Sequence, residues 1–97
     1  MKEIKIIWTK QAVKEIKRIY EYHKKNSLQS TKNVKSDLIQ SPKKIHFSKQ
    51  YQIDEINPNY RRIVIRDYKI LYKEKDHVIQ IIDVISTLQS PEKLKNK

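Results

Sequence analysis

Between residues 60 and 73 the chain sets Arg61, Arg62, Lys69 and Lys73 among Tyr60, Tyr68 and Tyr72. Cations grouped in this way can clamp phosphate oxygens, and they can equally pair with the carboxylates of an acidic polypeptide. A solvated sheet face is the third reading of Arg62, Lys69 and Lys73. Arg61 also suits a structural role, holding Asp54, Glu55 or a backbone carbonyl near the edge of the core. Tyr68 and Tyr72 read as core residues before they read as catalysts. Asp83 lies in an apolar run, where a buried carboxylate needs hydrogen bonds or a cationic partner, so a pair with a sheet arginine or lysine is expected. His23, His46 and His77 are far apart and lack ligand spacing, and cysteine is absent, so neither a metal site nor a disulfide is expected. No cofactor is expected. His77 reads as a turn residue, and His46 with Phe47 sits in a loop with no orienting acid.

These side chains are held by strands with period-two alternation. A tight turn at Arg66-Asp67 would set Ile65 opposite Tyr68, Ile63 opposite Ile70 and Arg61 opposite Tyr72. Ile63, Ile65, Tyr68, Ile70 and Tyr72 then share an apolar face able to cover helices. The other face carries Arg62, Lys69 and Lys73 around Val64 and Leu71, and in this register it can stay wet and basic. A slip of one residue would exchange the two faces. Glycine is absent from the chain, so the strong Asp-Gly turn signal is missing.

The 97 residues accommodate one domain with a modest core. A single domain is expected over 1–91, followed by a lysine-rich flexible tail over 92–97. The mean hydropathy of -0.84 is low, yet the abundant isoleucine and clear amphipathic periods argue against disorder. A formal charge of +11 suits a polyanion such as RNA or a strongly acidic protein. Lysine greatly outnumbers arginine, and isoleucine outnumbers leucine and valine, as AT-rich coding would also produce. Clustering of charge is therefore more informative than its total. Charges at Lys2, Glu3 and Lys5 and the lack of a long apolar run argue against a signal peptide or membrane span, leaving a cytoplasmic protein as the expectation.

Residues 3–8 begin as an isoleucine-rich strand. Thr9 is the expected N-cap of the following helix, with Trp8 and Val13 at hydrophobic-staple spacing. Ala12, Val13, Ile16, Ile19, Tyr20 and His23 recur at helical spacing up to about Asn26. Ser27 can cap a second helix with Leu28, Thr31, Val34 and Leu38 as its buried stripe, stopped near Gln40 by Pro42. The short connection predicts an antiparallel hairpin. Residues 43–59 are the least regular, with 51–56 a short-strand candidate. The strands from Tyr60 and Tyr68 follow. After a turn at 75–77 comes 78–85, apolar on both sides and so expected to be well covered. The order β-α-α-β-β-β predicts an α+β fold, with an N-terminal strand and antiparallel helical hairpin packed on a small, mainly antiparallel sheet.

This order resembles the RelE/ParE superfamily of type II toxin-antitoxin toxins over nearly the whole chain. The resemblance is carried by Tyr60-Arg61 opening one strand, Asp67-Tyr68-Lys69-Ile70-Leu71-Tyr72 in the next, and 78–86 closing. Ile7-Trp8-Thr9, Ala12 and Tyr20-x-Tyr22 are similar to the family's opening. It implies a bacterial toxin neutralised by a cognate antitoxin whose flexible segment wraps it. RelE-like members cleave mRNA in the ribosomal A site, whereas ParE-like members poison DNA gyrase, and a shared scaffold does not choose between them.

Metal-free RNA cleavage turns the ribose 2′-hydroxyl into a nucleophile and needs proton transfer, phosphorane stabilisation and help for the leaving oxygen. RelE-like enzymes use sheet cations and, typically, an arginine and a tyrosine near or after the last strand. By resemblance, Lys69 falls at the sheet arginine and Arg61 or Arg62 at a sheet lysine, which makes these three the catalytic candidates. The C-terminal arginine position falls at Leu88 or Gln89, and no tyrosine follows Tyr72. A full RelE-like set is therefore absent, and any enzyme would be a metal-independent endoribonuclease. Residues 85–93 are instead similar to a ParE-like ending that commonly reads Thr-Arg-Gln-Asn-Pro, with Leu88 in place of the arginine. The favoured expectation is a ParE-like toxin that binds and inhibits a target such as DNA gyrase. The alternatives are a RelE-like ribosome-dependent endoribonuclease and a degenerate, non-toxic, antitoxin-binding homologue. Arg62, Val64, Lys69, Leu71, Lys73, Leu88 and Gln89 are the expected antitoxin- or target-binding residues.

Overall fold

The computed structural model describes residues 4–25 and 28–87. Strand β1 (Lys5–Trp8) leads into helix α1 (Lys10–Lys24) and helix α2 (Leu28–Gln40), followed by 3₁₀ turns at Ser41–Lys44 and Ser48–Gln50. Strands β2 (Arg61–Ile65), β3 (Tyr68–Lys75) and β4 (Val78–Ser86) complete the chain order. The expected cap at Ser27 and the binding candidates Leu88 and Gln89 lie outside the described residues, as does the tail.

The sheet order is β1-β4-β3-β2. β1 runs parallel to β4, and the other neighbours are antiparallel. β4 is thus flanked on both edges while α1 packs across it, which explains its long apolar run. Pairing of β2 with β3 sets Arg61 opposite Tyr72, Ile63 opposite Ile70 and Ile65 opposite Tyr68, the register expected from the Arg66-Asp67 turn. Ala12, Ile16 and Ile19 of α1 and Val34 and Leu38 of α2 bury one stripe each against Ile63, Ile70, Tyr72, Ile79, Ile81 and Val84. Val13 remains 39% exposed, so the expected staple to Trp8 covers little area.

Thr9 joins the first strand, the first helix and the central strand. Its Oγ1 accepts from the Ala12 N–H at 3.2 Å and lies 2.8 Å from the Ile81 carbonyl and 3.1 Å from that of Ile82 as a donor. These carbonyls sit at a bulge, because Leu71 pairs with Asp83 but Tyr72 pairs with Ile81, leaving Ile82 unmatched. Beyond it the faces are re-aimed: Val84 joins the helical core, while Ile85 joins Leu71 in a smaller apolar cluster closed by Ile56, Tyr60 and Ile82.

The strand candidate at 51–56 does not form. Among the described residues only an isolated bridge, Ile53 with Arg61, continues the sheet past β2. Asp54 turns the chain there, its Oδ2 accepting from the Ile56 N–H at 3.2 Å and the Asn57 N–H at 2.7 Å. An aspartate that bonds its own downstream backbone competes with a ladder for the same N–H groups.

Candidate functional site on the outer sheet face

Cross-strand pairing places Val64, Lys69 and Ile85 in one row, and Arg62, Leu71 and Asp83 in the next, all on the face turned away from the helices. This face is not the open basic surface expected from the sequence. Lys69 is 5% exposed and Leu71 fully buried, because Asp54 and the chain that follows it fold over them. The Lys69 Nζ donates to Asp54 Oδ1 at 2.8 Å, and the Arg62 guanidinium lies 3.8 Å from the same oxygen. Burial by itself would raise the Asp54 pKa. The Lys69 hydrogen bond, the Asn57 N–H and the charges of Lys69 and Arg62 outweigh it and hold the carboxyl below its ordinary value of 3.8.

The remaining candidates divide by exposure. Arg62 hydrogen-bonds the Ile53 carbonyl at 3.0 Å. Val64 is 61% exposed, and Lys73 is exposed at the far end of β3. Arg61 donates to the Tyr51 carbonyl at 2.8 Å, which is the carbonyl option for its structural role. Tyr72 is fully buried and donates to the Ser48 carbonyl at 2.9 Å. Burial pushes its phenol up, against smaller opposing effects that include the Arg61 charge, so it stays protonated. Tyr68 is half-buried with its hydroxyl 2.7 Å from His23 Nε2, and desolvation followed by the Asp67 charge pushes it up as well. His77 is in a turn, as expected. Asp83 is buried and its Oδ1 accepts from the Val84 N–H at 2.8 Å.

The arrangement therefore offers a neutralised ion pair at Lys69, with exposed Val64 and Lys73 beside Arg62. Asp54 is the organising residue that sequence reasoning underrated. Its signal was present as Asp54-x-x-Asn57-Pro58, an aspartate placed to close a turn on backbone N–H groups. Among the described residues no group of His, Asp and Glu side chains could hold a metal ion, and no helix is long and apolar enough to cross a membrane. Where β2 begins and β3 nears its end, an open depression of about 250 Å³ has Ile53, Tyr60, Arg61 and Lys73 in its lining.

Known proteins sharing this architecture were found by structure. A chain of the chromosomal ParDE TA system from P. aeruginosa superposes with a TM-score of 0.72 at 15% identity, covering 87% of this chain and 96% of that one. At this identity the likeness speaks for the fold. No curated protein matches the chain by sequence. The family model described as the ParE toxin of type II toxin-antitoxin system, parDE, matches residues 6–91, and the chain accordingly belongs to the ParE toxin family.

Proposed function

We propose that the protein is the toxin of a type II pair, held by a cognate antitoxin, and that it acts by binding and inhibiting an intracellular protein such as DNA gyrase. The observation that carries this reading is the burial of Lys69 in its ion pair with Asp54. A sheet cation that serves phosphoryl chemistry must meet the developing charge of the transition state. Lys69 already meets a carboxylate and is covered by the chain that supplies it. A binding protein needs no such cation, which favours target inhibition over RNA cleavage. Purified gyrase provides the test: supercoiling should stop at micromolar protein, and unaffected supercoiling at that concentration would remove gyrase as the target. Toeprinting on translating ribosomes should give no A-site cleavage, and a clear A-site product would favour the endoribonuclease reading instead.

For the antitoxin, an acidic and apolar segment that covers the accessible part of the outer face fits best. Arg62 and Lys73 supply charge and Val64 an apolar contact, while Lys69 and Leu71 lie beneath the protein's own chain. A strand added at a sheet edge would supply generic main-chain affinity.

A further inference from the structure

The depression at the start of β2 and the end of β3 brings the cations Lys49, Arg61 and Lys73 together with Ile53, Pro58 and Tyr60. We infer that it is an anchoring pocket for a partner polypeptide, taking one apolar side chain flanked by carboxylates. This rests on the reading that a partner protein binds the toxin, and it adds a place for that contact next to the Val64 side of the sheet, with Lys73 shared between the two.

Charge complementarity selects the occupant. Three cations face one lining carboxylate, Glu74, in a molecule of net charge +11, so an acidic segment is drawn towards it. The apolar lining chooses peptide over phosphate. Ile53 is 50% exposed in this lining and offers apolar surface that a partner's side chain would cover. The Arg61 guanidinium donates through Nη1 to the Tyr51 carbonyl, which fixes it in the wall of the depression.

The walls are held in place before any partner arrives. Tyr72 fixes Ser48 through its carbonyl, and Gln50 bridges the His46 N–H at 2.7 Å and the Lys44 carbonyl at 3.1 Å. On the other side, Asp54 and Tyr60 are joined backbone to backbone at 2.9 Å, and Tyr60 to Asn57 at 3.0 Å. A preformed pocket loses little entropy when it is filled. The protein's own C-terminal segment is a poor occupant. Lys93, Lys95 and Lys97 would repel the cations, and the described chain ends at Thr87 beside Asp67, at the opposite end of β3, roughly 20 Å from Lys73 at about 3.4 Å per residue.

The test is an NMR titration of the ¹⁵N-labelled full chain with a blocked five-residue peptide, leucine flanked by two glutamates on each side. Its glutamine counterpart and inorganic phosphate serve as controls. Shifts should centre on Ile53, Tyr60, Arg61 and Lys73 and be lost with the glutamine peptide. Lys73→Glu and Lys49→Glu, each checked for an unchanged fold by its own spectrum, should weaken binding about threefold apiece, as exposed ion pairs do. Shifts centred elsewhere, equal shifts from the glutamine peptide or from phosphate, or the same shifts on raising protein concentration alone would overturn the pocket. None of these readouts involves gyrase. A negative titration beside positive supercoiling inhibition would remove the pocket and leave the proposed function standing.

Discussion

At the scale of single residues, the Asp54–Lys69 pair decides most. Both side chains are nearly inaccessible, so removing one partner strands a buried charge. Asp54→Asn should cost about 3–5 kcal/mol, and Asp54→Asn combined with Lys69→Met should recover much of that loss. Denaturant unfolding of the three proteins checks this, and equal stability of wild type and Asp54→Asn would show that the pair contributes nothing. The pH dependence has a definite sign. The folded pKa of Asp54 is depressed, so its stabilisation is fully present above the ordinary carboxylate value of 3.8 and is lost as pH falls through the lower folded value. Acid unfolding in that window should be shallower for the double variant. The double variant is also the proper control for ribonuclease activity, because Lys69→Ala alone would confound catalysis with folding. Leu88 belongs to this scale too. If an arginine there contributes a charge-assisted target contact, worth on the order of 1.5–3 kcal/mol, Leu88→Arg should raise target affinity roughly tenfold or more, and toxicity with it. Leu88→Lys, which lacks the planar fork, should gain less. Matched-expression growth arrest decides it, and equal toxicity of all three proteins would withdraw the significance given to Leu88.

At the scale of elements, connections govern stability. Thr9 caps α1 and bonds the bulge of β4, so Thr9→Val removes a cap and leaves carbonyls short of a donor. The expected cost is about 1–2 kcal/mol by thermal unfolding. The hairpins work in a chain without glycine: Arg66 has φ 54°, and Asp76 and His77 have φ 53° and 64°. Two successive left-handed residues suit the type I′ geometry that matches strand twist. Replacing Asp76-His77 with Asn-Gly should therefore stabilise the protein by about 1 kcal/mol, and a lower melting temperature would contradict that backbone assignment. Arg66 is also tied to α2, its Nε lying 2.7 Å from Asp37 Oδ2. Both groups of that pair are well exposed, so it contributes little.

At the scale of the whole molecule, the excess of positive charge should speed association with an acidic antitoxin and make the complex salt-sensitive. Charge reversal at Arg62 and Lys73 should weaken the complex and flatten its dependence on salt. Unchanged affinity and an unchanged salt slope would place the antitoxin elsewhere. An adjacent gene for a small acidic or DNA-binding protein is the natural source of the binding partner for this experiment.

The sequence by itself determined the order of elements, the Thr9 cap, the stop before Pro42, both tight turns and the pairing of β2 with β3. Each of these follows from local propensity or short-range alternation. Given a tight turn at Arg66-Asp67, it also pointed to the β2 and β3 residues that face the helices, and pairing in that register places Ile63, Ile70 and Tyr72 in the helical core. Tertiary structure decided the other face. Period-two alternation assigns Lys69 to a side of the sheet but carries no information about what lies over that side, and the cover comes from Asp54, 15 residues away. The bulge at Ile82 was equally out of reach, since an isoleucine-rich strand reads alike with and without an extra residue. It took the Thr9 contacts across the sheet to fix where β4 changes faces, and with that change the positions of Asp83, Val84 and Ile85.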